Sequence, residues 1–232
     1  MAEFRLLDQS ENWVALVKPA GFHVHPPEDS THRVPRDKVV LYQLRRQLDC
    51  FVYPVHRLDA GTSGVLLMAL NSEAASFLAQ QFQNHKVRKV YHAVVRGWTE
   101  EAGDITQSLD LDSTGEPAES HTSYRRLGRC EFPEAVGKRH TTARYSLVEA
   151  EPHTGRFHQI RRHMNRISHP VIGDAMHGDS KHNQFFRKQK GFAGLCLKAH
   201  QLSFLSPDRG PLTIEAPDND LWKRLRPLFS ET

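Results

Sequence analysis

The stretch of sequence that decides the fold is His56-Arg57-Leu58-Asp59-Ala60-Gly61-Thr62-Ser63-Gly64. Apolar runs precede and follow it, at residues 51–55 and Val65–Ala69, so the sequence predicts a polar loop between two buried strands. The glycines of this loop allow its backbone to approach a ligand closely, and the hydroxyl groups of Thr62 and Ser63 can hydrogen-bond a carboxylate. The pattern indicates that the loop presents Asp59 for chemistry, although it also fits an Asp that only orders its own turn.

A second polar segment opens a predicted helix: Thr154-Gly155-Arg156-Phe157-His158-Gln159-Ile160-Arg161-Arg162-His163. Ile160, Met164 and Ile167 stand at helical spacing, which predicts a helix over His158–Ile167 with Arg161 on its polar surface. The free backbone N–H groups at such a helix start, together with these cations, suit a phosphate or a carboxylate. A solvated basic helix face is the alternative interpretation.

Apolar periodicity along the rest of the chain predicts alternating strands and helices. The predicted strands are Phe4–Asp8, Trp13–Lys18, Val90–Trp98, Thr141–Ala150, Gly191–Phe204 and Leu212–Ala216, and the predicted helices are Asp37–Cys50, Asn71–His85 and Leu221–Leu228. The middle segment, Thr99–Arg139, is rich in Gly, Ser, Asp and Glu and predicts loops and edge strands, with one strand near His121–Leu127. Without a repeat or a linker, residues 1–232 are predicted to form one mixed α/β domain.

Length and composition exclude several classes of protein. The chain has 232 residues, of which 38% are hydrophobic and 25% charged, as in a globular protein with a sizeable core. The longest apolar run, Val65–Leu70, is too short to span a bilayer, and the polar start lacks a secretory signal, so we expect a cytoplasmic protein without a membrane partner. The three cysteines, Cys50, Cys130 and Cys196, are widely spaced and encode neither a disulfide framework nor a thiolate zinc site.

The positive charge is clustered. The formal net charge is +4, which permits a polyanionic partner but does not establish one. Cations concentrate in four groups: Arg33, Arg36 and Lys38; Lys86, Arg88 and Lys89; Arg156, Arg161, Arg162 and Arg166; Lys181, Arg187, Lys188 and Lys190. Any one group alone fits a solvated surface, but their recurrence along the chain makes nucleic acid the favoured partner.

Four motifs in register resemble those of the pseudouridine synthases, a family that includes ribosomal-RNA enzymes. They are Lys18-Pro19-Ala20-Gly21 with Val24-His25; His56–Asp59 with Thr62-Ser63-Gly64; the alternating Lys89, Tyr91, Ala93, Val95 and Gly97; and Thr154–His163 followed by His169–Asp174. The resemblance implies the α+β pseudouridine synthase fold, with a central, largely antiparallel mixed sheet, flanking helices and loops, and a catalytic cleft. We expect no S4-type RNA-binding domain before the motifs, so the catalytic domain is expected to hold its RNA unaided.

Three local spellings are similar to a branch of this family whose members modify uridine 65 of certain tRNAs. They are Gln80-Gln81-Phe82, Arg161-Arg162-His163 and residues 177–183. One departure is Lys198, which stands where many relatives have His. The resemblance implies a tRNA substrate, no cofactor, no metal and no obligate protein partner, and we expect a monomer.

The resemblance also implies roles for single residues. Asp59 matches the catalytic Asp, and Tyr91 matches the active-site Tyr that can stack on an extruded uracil. Arg161 matches the cation that keeps a buried carboxylate ionised, since burial alone would favour the neutral acid. The residues expected to contact RNA are Arg57, Thr62, Arg156 and His158.

Three alternatives remain open at this point. Within the family, the substrate could be ribosomal RNA. A metal-dependent nuclease is suggested by His23, His25 and the 15 histidines, although these do not pair with acids at ligand spacing. A non-catalytic RNA chaperone that keeps the fold would not depend on Asp59.

Overall fold

The computed structural model describes residues 3–27, 33–110, 115–137 and 140–230. In chain order its strands and α-helices are β1 (Leu6–Gln9), β2 (Trp13–Lys18), α1 (Val40–Leu48), β3 (Tyr53–Pro54), β4 (Ser63–Ala69), α2 (Ser72–Gln83), β5 (Arg88–Arg96), β6 (Ala102–Thr106), β7 (Leu109–Asp110), β8 (Pro117–Ala118), β9 (His121–Phe132), β10 (Ala143–Pro152), α3 (Gln159–Arg166), α4 (Ser180–Gln189), β11 (Leu197–Ser206), β12 (Gly210–Glu215) and α5 (Asp220–Leu225). Short 3-10 helices lie at Arg36–Lys38 and Arg226–Leu228.

The chain divides into two compact units, each built from two stretches of sequence. The first unit holds the chain up to Lys89 together with Lys198–Pro217, and the second holds Val90–Leu197 together with the chain from Asp218 onwards. The expectation of a single domain over residues 1–232 stays a prediction.

The sheet of the first unit has the order β1-β2-β4-β11, with β3 paired to β4 and β12 paired to β11. Its pairs are antiparallel except β4 with β11, which run parallel through Ser63 opposite Lys198 and Gly64 opposite Ala199. Gly64 has φ +122, and a Cβ on it would lie 2.0 Å from the Ala199 carbonyl oxygen. Only glycine therefore lets these two strands approach at the start of β4.

The core of the first unit lies between this sheet and α2. Alternate residues of β4, which include Val65 and Leu67, pack against Trp13 and against Leu78 of α2. Helix α2 begins where the Asn71 side chain accepts a hydrogen bond from the Ala74 N–H at 2.8 Å, as the capping pattern predicts.

The sheet of the second unit is antiparallel, in the order β5-β10-β9-β6. Strand β10 has a buried core on each face: Tyr145 and Leu147 pack with α4 and α5, whereas Val148 and Ala150 pack with α3. Helix α3 therefore lies on one face of the sheet, and its polar residues are positioned by β9 and β10.

Several elements differ from the sequence prediction. The described part of the middle segment contains the four strands β6 to β9, where loops, edge strands and one strand near His121–Leu127 were predicted, because polar and charged residues fill the exposed positions of these strands and conceal the alternation. Residues 111–114 and 138–139 of that segment lie outside the described residues. The apolar run at 51–55 forms only the two-residue strand β3, and α4 was not predicted. The central, largely antiparallel mixed sheet with flanking helices is confirmed.

None of the described helices combines the length and the apolar character that crossing a bilayer requires. Among the described residues, no three His, Cys, Asp or Glu side chains are grouped so that they could share a metal ion.

Candidate active site

The loop that carries Asp59 is a tight turn in the first unit. The Thr62 N–H donates to the Asp59 carbonyl oxygen at 3.0 Å, and the Gly21 N–H donates to the Ala60 carbonyl oxygen at 2.7 Å. Asp59 is half-buried, and β4 begins directly after Thr62. One bond closes the turn on itself and the other holds it against the segment that follows β2, so the backbone that carries Asp59 is fixed on two sides.

A buried lysine supports this turn. Lys18, at the end of β2, is 0% exposed, and its Nζ donates to the carbonyl oxygens of Phe22 at 2.7 Å and of Pro19 and Ala60 at 3.1 Å. Burial lowers the pKa of Lys18 to about 7, and the negative charge of Asp59 opposes this shift. Within the first unit, the protonated form of Lys18 thus interacts favourably with the charge of Asp59.

Sequence reasoning missed this role. It gave the stabilising cation as Arg161, which stays a prediction, and used Lys18 only as part of a motif. The available signal was a lysine at the end of an apolar strand, directly before Pro19 and Gly21. A charged side chain at a buried strand position needs partners, and a turn rich in carbonyl oxygens supplies them.

His56 anchors the other end of the loop. Its Nε2 accepts a hydrogen bond from the Leu67 N–H at 3.0 Å, and its ring stacks on Phe82 of α2 with the ring centroids 4.4 Å apart. Burial, and secondarily the charge of Lys89, lowers the pKa of His56 to about 3. The ring is therefore neutral near pH 7 and holds its proton on Nδ1, since Nε2 acts as an acceptor. The next residue, Arg57, is exposed.

In the second unit, Arg161 lies on α3 but not on an exposed face. The prediction of a polar surface position was wrong: Arg161 is 7% exposed, and its neighbours Ile160 and Met164 are also buried. Its Nε donates to Oδ2 of Asp174 and its Nη2 donates to Oδ1 of Asp174, both at 2.7 Å. This bidentate pair offsets the cost of burying a guanidinium on the polar side of a short helix.

Asp174 is itself enclosed by donors. Its Oδ1 also accepts from the backbone N–H groups of Met176 at 2.9 Å and His177 at 3.0 Å. Burial by itself raises the pKa of Asp174, but the hydrogen bonds from Arg161 and from these two N–H groups outweigh it and hold the pKa below its ordinary value. The carboxylate is therefore ionised near pH 7. The sequence contained this residue at the end of a motif, but nothing in the spacing indicated that it pairs with Arg161.

The remaining predicted residues of the second unit surround the start of α3. His158, in the left-handed conformation with φ 52, precedes the helix, stacks on Phe157 and lies 3.0 Å from the Nε2 of His177 through its Nδ1. Arg156 donates from its Nε to the Glu119 carbonyl oxygen at 3.3 Å. Tyr91, half-buried on β5 opposite Ala150, packs against the core under α3.

Comparison with known proteins places these residues in context. The family model described as RNA pseudouridylate synthase matches residues 12–166. A protein of Vibrio parahaemolyticus called tRNA pseudouridine synthase C is 42% identical, over 96% of this chain and 94% of its own. A protein of Vibrio cholerae with the same name is also 42% identical, over 94% of this chain and 92% of its own.

Solved structures share the fold. Human RNA Pseudouridylate Synthase Domain Containing 1 superposes with a TM-score of 0.75 at 23% identity, covering 99% of this chain and 89% of its own. Human RNA Pseudouridylate Synthase Domain Containing 4 gives a TM-score of 0.72 at 21% identity, covering 96% and 93%.

Proposed function

The chain belongs to the RNA pseudouridylate synthase family, and on that basis we propose that it isomerises uridine to pseudouridine in tRNA, at uridine 65. The motif with Asp59, the similarity to curated relatives named for tRNA, and the basic clusters of the sequence support this substrate. The reaction needs no cofactor, because it changes neither the redox state nor the atom count of the nucleoside.

The atoms of the reaction define what the protein must do. The N1–C1′ bond of uridine breaks, the C5–C1′ bond forms, C5 loses its proton and N1 gains one. The enzyme must therefore hold an ionised carboxylate beside the nucleoside, retain the detached uracil, and accept a nucleotide extruded from its stem. Asp59 is the proposed catalytic carboxylate.

The observation that carries this proposal is the support of the Asp59 turn. A fully buried ammonium, Lys18, bonds the carbonyl oxygen next to Asp59 and interacts favourably with its negative charge. A neutral His56 fixes the other end of the loop. An ordinary surface turn has no need of a buried cation, which costs several kcal/mol to desolvate, so the arrangement favours a preorganised carboxylate.

Further roles are proposed for residues of both units. Tyr91 stacks on the extruded uracil and takes part in proton transfer at C5. Arg161 serves as the cation that keeps the catalytic carboxylate ionised, and it also provides hydrogen bonds at the reacting nucleoside. Arg57, Thr62, Arg156 and His158 serve RNA binding, and because Thr62 is only 2% exposed, its proposed part is to support the loop that meets the RNA. The enzyme is proposed to act as a monomer in the cytoplasm.

The test uses purified protein and unmodified tRNA transcripts carrying tritium at C5 of uridine. Loss of the C5 proton releases tritium to water, and chemical mapping identifies the modified position. We expect one equivalent of tritium per transcript and a pseudouridine at position 65. Asp59→Asn should abolish release while RNA binding, measured by filter retention, stays within about threefold, because the change removes one charge without changing the shape of the side chain.

Asp220→Asn is the matched control, since the Asp220 side chain is 100% exposed on α5, and it should behave as the parent protein. If ribosomal RNA transcripts are modified and tRNA transcripts are not, the proposed substrate is contradicted. Full activity of Asp59→Asn would contradict the proposed catalytic role of Asp59. If the protein releases no tritium and its cellular effect is unchanged by Asp59→Asn, the protein is a chaperone. RNA cleavage that EDTA stops would identify a nuclease.

A further inference from the structure

We propose that Asp174 is the positioning residue for Arg161: it fixes the guanidinium side-on and thereby determines which of its N–H groups meet the substrate. The inference rests on the proposed function, in which Arg161 bonds the reacting nucleoside. The contact between the two residues lies within the second unit alone.

The geometry of the pair sets the orientation of the guanidinium, which carries five N–H groups in one plane. Arg161 uses Nε–H and one Nη2–H for the two oxygens of Asp174, both at 2.7 Å, so the plane and the rotation of the group are set by that carboxylate. The other N–H groups, on Nη1 and on the far side of Nη2, point away from Asp174. They are the donors that Arg161 directs to other groups.

Asp174 is itself held rigidly. Its side chain is 0% exposed and its Oδ1 accepts from two backbone N–H groups as well as from Arg161. Asn183 of α4 holds the backbone on both sides, accepting from the Gly173 N–H and donating to the Asp174 carbonyl oxygen, each at 2.7 Å. Gly173 has φ +81, and a Cβ there would lie 1.8 Å from the Gly194 carbonyl oxygen. The conformation of the turn is therefore fixed by contacts that do not involve Arg161.

The charges of the pair determine what Arg161 offers a substrate. Arg161 and Asp174 form a buried pair whose charges partly offset one another, so Arg161 acts through aimed hydrogen-bond donors as well as through its charge. The orientation of the guanidinium therefore matters, and a lysine at 161 would not replace the arginine because it lacks the planar fork.

The same unit contains a matched control pair. Asp179 binds Arg96 at 2.5 Å, and its Oδ1 accepts from the backbone N–H groups of Lys181 and His182 at the start of α4. Like Asp174, Asp179 is a carboxylate that pairs with an arginine and accepts from the N–H groups of residues two and three positions later, but its arginine is not Arg161. Asp179→Asn removes an equivalent charge and cap.

The experiment measures the single-turnover rate of tritium release at saturating enzyme, together with the dissociation constant for tRNA and the urea unfolding midpoint. We expect Asp174→Asn to lower the rate about 10- to 100-fold, as loss of an outer partner does in other sites, while the dissociation constant stays within about threefold. Asp179→Asn should lower the urea unfolding midpoint about as much as Asp174→Asn does, but it should leave the rate of tritium release within about twofold of the parent.

A double-mutant cycle separates positioning from general support. If Asp174 acts through Arg161, then Asp174→Asn causes no further rate loss in an Arg161→Met background. Equal further loss in both backgrounds, or an unchanged rate for Asp174→Asn, overturns the inference. If Asp174→Asn does not fold, Asn183→Ala, which loosens the same turn and keeps the carboxylate, should lower the rate with Arg161 present and not in its absence.

Failure of the proposed function can be distinguished from failure of the inference about Asp174. A parent protein that releases no tritium from any RNA contradicts the enzymatic proposal itself. A parent that is active while Arg161→Met keeps a near-normal rate contradicts the role of Arg161, whatever Asp174 does.

Discussion

Lys18 shows how far the chemistry of one residue depends on its surroundings. A lysine in water is charged at any physiological pH. In this fold its Nζ is fully buried among three carbonyl oxygens, with the negative charge of Asp59 close enough to oppose the loss of its proton. With its pKa near 7, Lys18 changes between an ammonium that supports Asp59 and a neutral amine within the range of ordinary assays.

The rate of tritium release should therefore fall as pH rises through about 7, because the ammonium beside Asp59 is lost. Lys18→Met should be slow at all pH values and lack this alkaline limb. Single-turnover rates of the parent protein and of Lys18→Met, measured at pH values below and above the pKa of Lys18, test these two expectations. If the rate of Lys18→Met falls with rising pH at the same midpoint as the rate of the parent, a group other than Lys18 causes the pH dependence.

Stability should change in the opposite direction. The pKa of Lys18 is about 7 when folded and about 10.5 when unfolded, so between these values the unfolded chain binds more protons. The free energy of unfolding should consequently rise with pH in that window, by up to about 1.4 kcal/mol per pH unit from this group. Urea unfolding of the parent and of Lys18→Met, compared at about pH 7 and about pH 9, isolates the contribution of Lys18, and an equal rise in both proteins would contradict it.

At the level of elements, the start of β4 combines two tasks. It follows the Asp59 turn directly, and it pairs with β11 in parallel through Gly64 and Ala199. The close approach at Gly64 fixes where β4 begins and hence where the turn ends. The sequence predicted β4 and the loop correctly, but the parallel partner lies far along the chain and leaves no local signal.

Gly64→Ala should consequently destabilise the first unit strongly. The added Cβ meets the Ala199 carbonyl oxygen, and the φ of +122 is unfavourable for alanine, so we expect a loss of about 3 kcal/mol or more in the free energy of unfolding. Gly155→Ala is the matched control, since a Cβ added there would have no atom within 4 Å and the φ of Gly155 is not positive. Urea titration of both variants decides, and equal stability of the two would contradict the argument.

Across the whole molecule, the fold distributes the basic clusters unequally. Arg161 is buried against Asp174, and Lys190 donates to Glu134 at 2.6 Å, so neither offers an unopposed charge to a polyanion. Arg187 and Lys188 of α4 remain exposed. Cluster membership in the sequence therefore overstates the charge available for RNA.

Binding of tRNA should depend strongly on salt. If about four phosphates are contacted, the affinity falls about 100-fold between roughly 50 and 200 mM salt. Replacing Arg187 and Lys188 by Gln should reduce the slope of log affinity against log salt by about 1 to 2. Lys223→Gln, an exposed cation on α5 that pairs with Asp220, is the control and should leave the slope unchanged. An unchanged slope in the double variant would show that α4 does not contact RNA.

The sequence by itself determined the family, the loop that carries Asp59, strand β2 and the capped helix α2, because these depend on local patterns: motif order, apolar periodicity and a side chain that caps its own helix. Only the tertiary structure decided that Lys18 supports Asp59, that Asp174 holds Arg161, and that β4 runs beside β11. These depend on burial and on contacts between residues far apart in the chain. The free energy of a buried charge is set by the partners that folding brings to it, and no local spacing records them.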